Sequence, residues 1–318
     1  MSKRAPRNTQ LSHYWHPRWW PTWLGMACMW VLAQLPMAVQ WWLGQGIGNL
    51  AHLTMAQRRR ITEINIRLCF PELSTDEQAK LVRQAFRSNG IGLMEVGTAW
   101  FRKPESLRKY TQVHGYEHVE AALKKGKGVL LLGGHYSTLD LGGSLISLFI
   151  EADVMQRDHN NPLVNAIMTR SREQRYGVAL GRHDLRGLFR RLQANRIVWY
   201  APDQDYGRRG SVFAPFFGVP AASITATGRI AARTGCAVVP FSHFRRKGSV
   251  GYDIHFRPAL AGFPSGDDLD DATRINTVIE QEVRTHPDQY LWMHRRFKTR
   301  PDPSEVNPYK QPKAKDEQ

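Results

Sequence analysis

The sequence predicts an α/β protein: a mostly parallel sheet flanked by helices, with an N-terminal hydrophobic membrane anchor. Gly128–Leu132, Ile197–Ala201 and Ala237–Phe241 are short, continuous apolar runs, as expected of strands buried on both faces. Helical patterning alternates with them, and strands that alternate with helices build parallel sheets. From Trp19 to Gln57 there is no Asp, Glu, Lys or Arg in 39 residues. About 20 apolar residues suffice to cross the hydrocarbon core of a bilayer.

Taken in order, residues 1–18 are a basic tail, with Lys3, Arg4, Arg7 and Arg18 and no acid. Residues 19–57 are the expected membrane-anchoring segment, with a buried core hairpin as the other reading. Seven of the ten tryptophans precede residue 43 and cluster near the ends of its most apolar part, as an aromatic belt would. Positive charge flanks the segment on both sides, so a single crossing and a re-entrant pair of arms broken at Pro36 are both open. Residues 58–300 read as one α/β domain. Its first clear helix starts at Ser74, where Ser-x-x-Glu to Glu77 is a capping box, and continues through Leu81, Val82, Ala85 and Phe86 toward Trp100. A helical stretch from Ala222 to Thr234 is closed by Gly235. Residues 301–318, rich in Pro, Lys, Asp, Glu and Gln, read as a flexible tail.

The 318 residues carry 44 Lys and Arg against 28 Asp and Glu, a net charge of +16 that calls for an anionic partner. Nucleic acid is not that partner on sequence grounds: no finger, RRM signature or dense Lys-rich arm occurs, and the apolar segment would be unexplained. Three cysteines without a CxxC pair support neither a disulfide framework nor a cysteine zinc site. There is no Walker or GxGxxG fingerprint for a nucleotide cofactor.

The chemistry is expected after the first strand. His135 lies on the loop leaving its carboxyl end, where open α/β sheets place their sites, and Asp140 follows five residues later. A carboxylate reaching back to Nδ1 would leave Nε2 to take a proton from a hydroxyl. A satisfied structural histidine is the other reading. Asp203 and Asp205 follow the second strand, either as turn formers or as site residues. Arg208 and Arg209 follow the stretch Asp203 to Gly207 at once and could receive anionic headgroups. Arg295, Arg296, Lys298 and Arg300 around Phe297 read either as a solvated face or as an anion site. Neither a GxSxG elbow nor a recognisable cysteine nucleophile suggests a covalent intermediate.

The stretch Gly133 to Asp140 resembles the His-x4-Asp/Glu motif of the glycerolipid acyltransferase superfamily. HPRWWPTWLG (His16 to Gly25), NIRLCFPELS (Asn65 to Ser74), GLMEVGTAWF (Gly92 to Phe101), WYAPDQDYG (Trp199 to Gly207) and HRRFKTRP (His294 to Pro301) resemble one branch, the lipid A secondary acyltransferases. The resemblance covers about His16 to Pro301. It implies a glycerolipid acyltransferase-like fold, with residues 58–300 as the catalytic domain. It also implies transfer of a fatty acyl chain, lauroyl favoured over palmitoleoyl or myristoyl, from acyl-carrier protein to a hydroxyl of a 3-hydroxyacyl chain on a Kdo-bearing lipid A precursor. A phospholipid acyltransferase is the nearest rival. His135 would be the general base and Asp140, where many members carry Glu, its orienting carboxylate. Arg157 would meet phosphate or carboxylate; Asp203, Asp205, Arg208, Arg295, Arg296, Lys298 and Arg300 would line substrate. Neither cofactor nor metal is implied beyond the carrier thioester. The implied location is the bacterial inner membrane, with the catalytic domain on its cytoplasmic side.

Overall fold

A computed structural model describes residues 10–310; the basic tail up to residue 9 and the C-terminal tail from residue 311 lie outside the described residues. After two short 3-10 helices (Leu11–Tyr14 and Pro17–Trp19) come four α-helices: α1 (Trp20–Ala33), α2 (Met37–Thr54), α3 (Ala56–Cys69) and α4 (Thr75–Phe101). Then follow β1 (Thr111–His114), α5 (Tyr116–Leu123), β2 (Val129–Leu132), α6 (Leu139–Ile146), β3 (Ala152–Gln156), α7 (Pro162–Glu173), β4 (Ala179–Gly181), α8 (Leu185–Gln193) and β5 (Ile197–Tyr200). A hairpin of β6 (Ser211–Phe216) and β7 (Val219–Ile224) precedes α9 (Ala226–Thr234), β8 (Ala237–Arg245), β9 (Tyr252–Phe256) and α10 (Asp268–Thr285).

The main sheet has the order β1-β9-β8-β2-β5-β3-β4, parallel throughout except between β8 and β9. The three apolar runs are its centre: β8, β2 and β5 lie side by side, with Leu130 opposite both Val238 and Val198. The pleat divides their side chains between two cores. Leu130, Leu132, Val198 and Val238 pack with Ile230 of α9 and Ile275, Ile279 and Val283 of α10. Val129, Leu131, Trp199 and Val239 pack with Val119 of α5 and Leu141 and Leu145 of α6. The capping box is present, Ser74 Oγ accepting from Glu77 N while Glu77 Oε2 accepts from Ser74 N at 2.8 Å. Gly235 closes α9 in the left-handed region at φ 71°. The stretch expected to be helical from Ala222 begins only at Ala226, because Ala222 to Ile224 pair in the β6–β7 hairpin.

The membrane-spanning expectation for residues 19–57 is overturned. Among the described residues no helix is long and apolar enough to cross a membrane. The segment is divided at Pro36 into α1, about 21 Å long, and α2, about 27 Å. The hydrocarbon core is about 30 Å thick, and α2 also carries Gln40, Gln45, Asn49 and His52. Gln40 explains why the break is stable. Its buried amide donates to Ala33 O and Leu35 O, satisfying carbonyls at the end of α1, and its Oε1 accepts from Thr98 Oγ1 of α4 at 2.6 Å.

Nor is the segment a separate body. Helix α2 crosses α4 with backbones in contact: a Cβ at Gly44 would stand 2.5 Å from Ile91 Cα, one at Gly48 2.4 Å from Phe86 O, and one at Gly90 2.1 Å from Gly44 O. Small residues at such crossings let two helices approach this closely. Residues 301–310, expected as the start of a tail, fold back instead; Tyr309 is buried, and its hydroxyl accepts from Phe297 N and contacts Asn65 of α3.

Two glycines of α2 should therefore respond oppositely to one methyl group. Gly46 has nothing within 4 Å of its Cβ position, so Gly46→Ala should gain the helix propensity of alanine, up to about 1 kcal/mol. Gly48→Ala must push Phe86 O away and should destabilise by about 1–3 kcal/mol. Chemical denaturation of the two variants beside the parent protein measures both signs.

Candidate functional site

The site stands at the carboxyl edge of the central strands. Leu132 of β2 and Tyr200 of β5 are in register, so residues the same distance beyond each strand meet. His135 and Asp203 are both three residues on, and His135 Nδ1 lies 2.5 Å from Asp203 Oδ1. Asp203 Oδ2 accepts from the His135 backbone N–H at 2.8 Å and from Tyr290 Oη at 2.9 Å. The segment carrying Tyr290 also grips the loop from outside: Leu291 N donates to His135 O at 3.0 Å and Ser137 N to Gln289 O at 2.7 Å.

Electrostatics divide the proton unevenly. Burial pushes the Asp203 pKa up, but His135 and the hydrogen bonds from His135 and Tyr290 bring it down to about 2. Burial alone would lower His135; the Asp203 carboxylate outweighs it and holds the imidazole above its ordinary value. An ionised Asp203 only accepts, so the proton on the neutral ring sits on Nδ1. Nε2 is then left as the basic nitrogen.

Asp140 is not the partner of His135. Its Oδ1 accepts from Arg172 Nη2 of α7 at 2.7 Å and from Trp100 Nε1 of α4 at 3.2 Å. Arg172 Nη1 continues to Gln156 Oε1 at 3.0 Å. The reason is geometric. Asp140 is the second residue of α6, and its carboxylate is directed to α7, whereas the β5 loop already fills the space beside His135 Nδ1. His135 and Asp140 nevertheless line one cavity of about 210 Å³ with Arg157, Met155, Met168 and Arg172. Its wall joins a basic nitrogen, a half-buried ion pair and an apolar lining. That combination suits deprotonation of a hydroxyl beside a bound hydrocarbon.

The other expected site residues separate into three groups. Arg157 is exposed at the lining of this cavity. Arg208, Lys298 and Arg300 line a second, open cavity of about 720 Å³, where Arg208 is held by the carbonyls of Arg300 and Pro301; Arg295 is exposed nearby in sequence. Asp205 and Arg296 face the interior. Asp205 accepts from Gly207 N, Thr299 N and Thr299 Oγ1, tying the β5 loop to the C-terminal segment. Arg296, 3% exposed, donates to Ala222 O and Ser223 Oγ of the hairpin. The polar groups of both are engaged by the protein's own backbone and hydroxyls, and Arg296 also borders a small pocket beside His135 and Asp203. Sequence reading missed Arg172, Trp100 and Tyr290. The equal offset of His135 and Asp203 from two predicted strands was the available signal for the true pair; nothing local marks the other three.

The chain matches the family described as bacterial lipid A biosynthesis acyltransferase over residues 7–299. It is 40% identical over 288 residues to the lipid A biosynthesis lauroyltransferase of Escherichia coli (strain K12), covering 90% of this chain and 94% of that one. To the palmitoleoyltransferase of the same organism it is 39% identical over 287 residues, with the same coverage. To its myristoyltransferase it is 28% identical over 297 residues, covering 93% and 92%.

A base that works as neutral imidazole loses activity as pH falls through its pKa. Because Asp203 raises that pKa, the acid limb of kcat/KM should lie above the ordinary imidazole range near 6.5. Asp203→Asn removes the charge, so the acid limb should move to lower pH while the plateau rate falls about 10²-fold or more. A pH–rate profile of the two proteins reads both effects.

Proposed function

The chain belongs to the bacterial lipid A biosynthesis acyltransferase family, and from that premise we propose that it acylates a Kdo-bearing lipid A precursor, using acyl-carrier-protein thioester as donor. The observation that carries the reading is the His135–Asp203 pair opening onto a cavity walled by Asp140 and Arg172. His135 Nε2 takes the proton of a hydroxyl on a 3-hydroxyacyl chain as its oxygen attacks the thioester carbonyl. Collapse of the tetrahedral species breaks the carbon–sulfur bond, and the imidazolium returns its proton to the departing thiolate. Asp203 holds the ring in the competent tautomer and stabilises the imidazolium that forms. The acyl chain lies against Met155 and Met168. Arg157 meets an anionic group of one substrate, while Arg208, Lys298 and Arg300 receive acidic groups of the saccharolipid.

The acyl group we propose is lauroyl. Each methylene buried contributes only about 0.8 kcal/mol, so small changes at the cavity floor redirect chain choice. Mass spectrometry of lipid A from cells lacking the protein, and from the same cells regaining it, should show the return of one ester-linked lauroyl chain. His135→Ala should leave the precursor unmodified. Return of a palmitoleoyl or myristoyl chain would correct the donor, and acylation of lysophospholipid alone would sink the acceptor assignment.

For location we propose the cytoplasmic face of the inner membrane, with α1 and α2 lying against the bilayer rather than through it. Trp15, Trp20, Leu24, Trp30, Trp42 and Leu53 are each at least half exposed, an apolar surface that an interface would cover. Flotation with vesicles containing anionic lipid should recover the parent protein. The triple change Trp20→Ser, Leu24→Ser and Trp30→Ser should cut recovery several-fold without altering the thermal unfolding midpoint.

A further inference from the structure

We propose that His114, Asp253 and His255 form a site for a divalent metal ion of the zinc class at the outer edge of the main sheet. His114 ends β1 and stands in register with His255 of the parallel strand β9. The two imidazoles are stacked, with centroids 4.7 Å apart and ring planes 14° from parallel. Asp253 precedes His255 by two residues, so the pleat places both on one face. Its Oδ1 lies 3.6 Å from His114 Nε2. One ligand atom from each of the three side chains falls within 4.8 Å of the others.

Two imidazoles and one carboxylate are a ligand set that zinc accepts, at about 2.0–2.2 Å from each ligand atom, with water completing a tetrahedron. Drawing the three atoms onto one ion requires side-chain rotation but no change in strand pairing. The His114 side chain is 49% exposed, so solvent borders the ring on the side away from His255 and its rotation displaces no buried packing. Asp253 Oδ1 also accepts from Arg246 Nε at 3.1 Å, so a bound ion would share this carboxylate with the arginine.

The placement assigns the ion a structural task. Strand β1 pairs only with β9, and a metal held by His114 and His255 cross-links the two. The cluster is remote from the acyl-transfer chemistry: β1 is three strands from β2. His255 is paired with Ser242, whose hydroxyl bonds Glu282 of α10, on the opposite face from the Trp199 core. The site thus stands or falls apart from the acyltransferase reading.

The test is titration of the full-length, chelator-treated protein with zinc chloride, followed by calorimetry and thermal unfolding. One ion per chain should bind and raise the unfolding midpoint. His114→Ala and His255→Ala should each weaken binding tenfold or more and abolish the shift, while His118→Ala, a change at a neighbouring histidine, should keep both. Substitution with cobalt(II) should give the visible absorption of a four-coordinate ion in the parent protein only. Acyl transfer should proceed at the same rate with zinc or with chelator. Absence of saturable binding, or binding equally strong in the His114 and His255 variants, would overturn the proposal.

Discussion

Asp203 is the constraint on which the site depends. A buried carboxylate is tolerated only when charge and hydrogen bonds offset its lost hydration, and each donor that does so here comes from a part of the molecule that must be placed. The imidazole and backbone N–H of His135 come from the β2 loop, and the hydroxyl from Tyr290 in the C-terminal segment. Satisfying one carboxylate therefore fixes three segments against one another and sets the tautomer of His135. Orientation, proton affinity and loop geometry are three aspects of the same interaction.

A second buried network joins this site to the helical layer. Arg245, at the end of β8, donates to Glu95 Oε2 of α4 at 2.6 Å and to Ser137 Oγ of the His135 loop at 2.5 Å. Tyr252 Oη donates to Glu95 Oε1 at 2.7 Å. Burial raises the Glu95 pKa while Arg245 and the hydrogen bonds oppose it. Farther along the same helix, Trp100 reaches Asp140. Helix α4 thus supports the histidine loop and the Asp140–Arg172 pair from one rigid element, and rigidity of this kind is what a positioned base requires.

Much of this was legible in the sequence where periodicity and punctuation carry the information. The central strands, the Ser74 capping box and the Gly235 helix end all rest on local chemistry that survives folding. The histidine was found because it follows a buried strand. Its partner is not legible from spacing: Asp140 is near in sequence, but strand register, a tertiary property, brings Asp203 beside the ring instead. Asp205 and Arg296 look like site residues because they are charged and clustered, yet backbone groups 94 and 74 positions away consume them. The apolar segment misled for a related reason. Its composition suits a bilayer, but Pro36 shortens each helix and Gly44 and Gly48 commit one face to α4, a use that composition does not reveal.

The glycine crossing between α2 and α4 has a consequence for selectivity. An apolar region joined to its catalytic body by a flexible leash lets the base sample a range of heights above any surface it rests on. Here the two helices touch backbone to backbone, and the far end of α4 holds Asp140. The distance from the exposed tryptophans to the His135 nitrogen is then a fixed length of the molecule, like the throat depth of a clamp. On the proposed membrane-surface reading, a lipid bearing several similar hydroxyls at different depths would present only one at that height, and the stiffness of the scaffold would then contribute to positional choice beside contacts in the cavity.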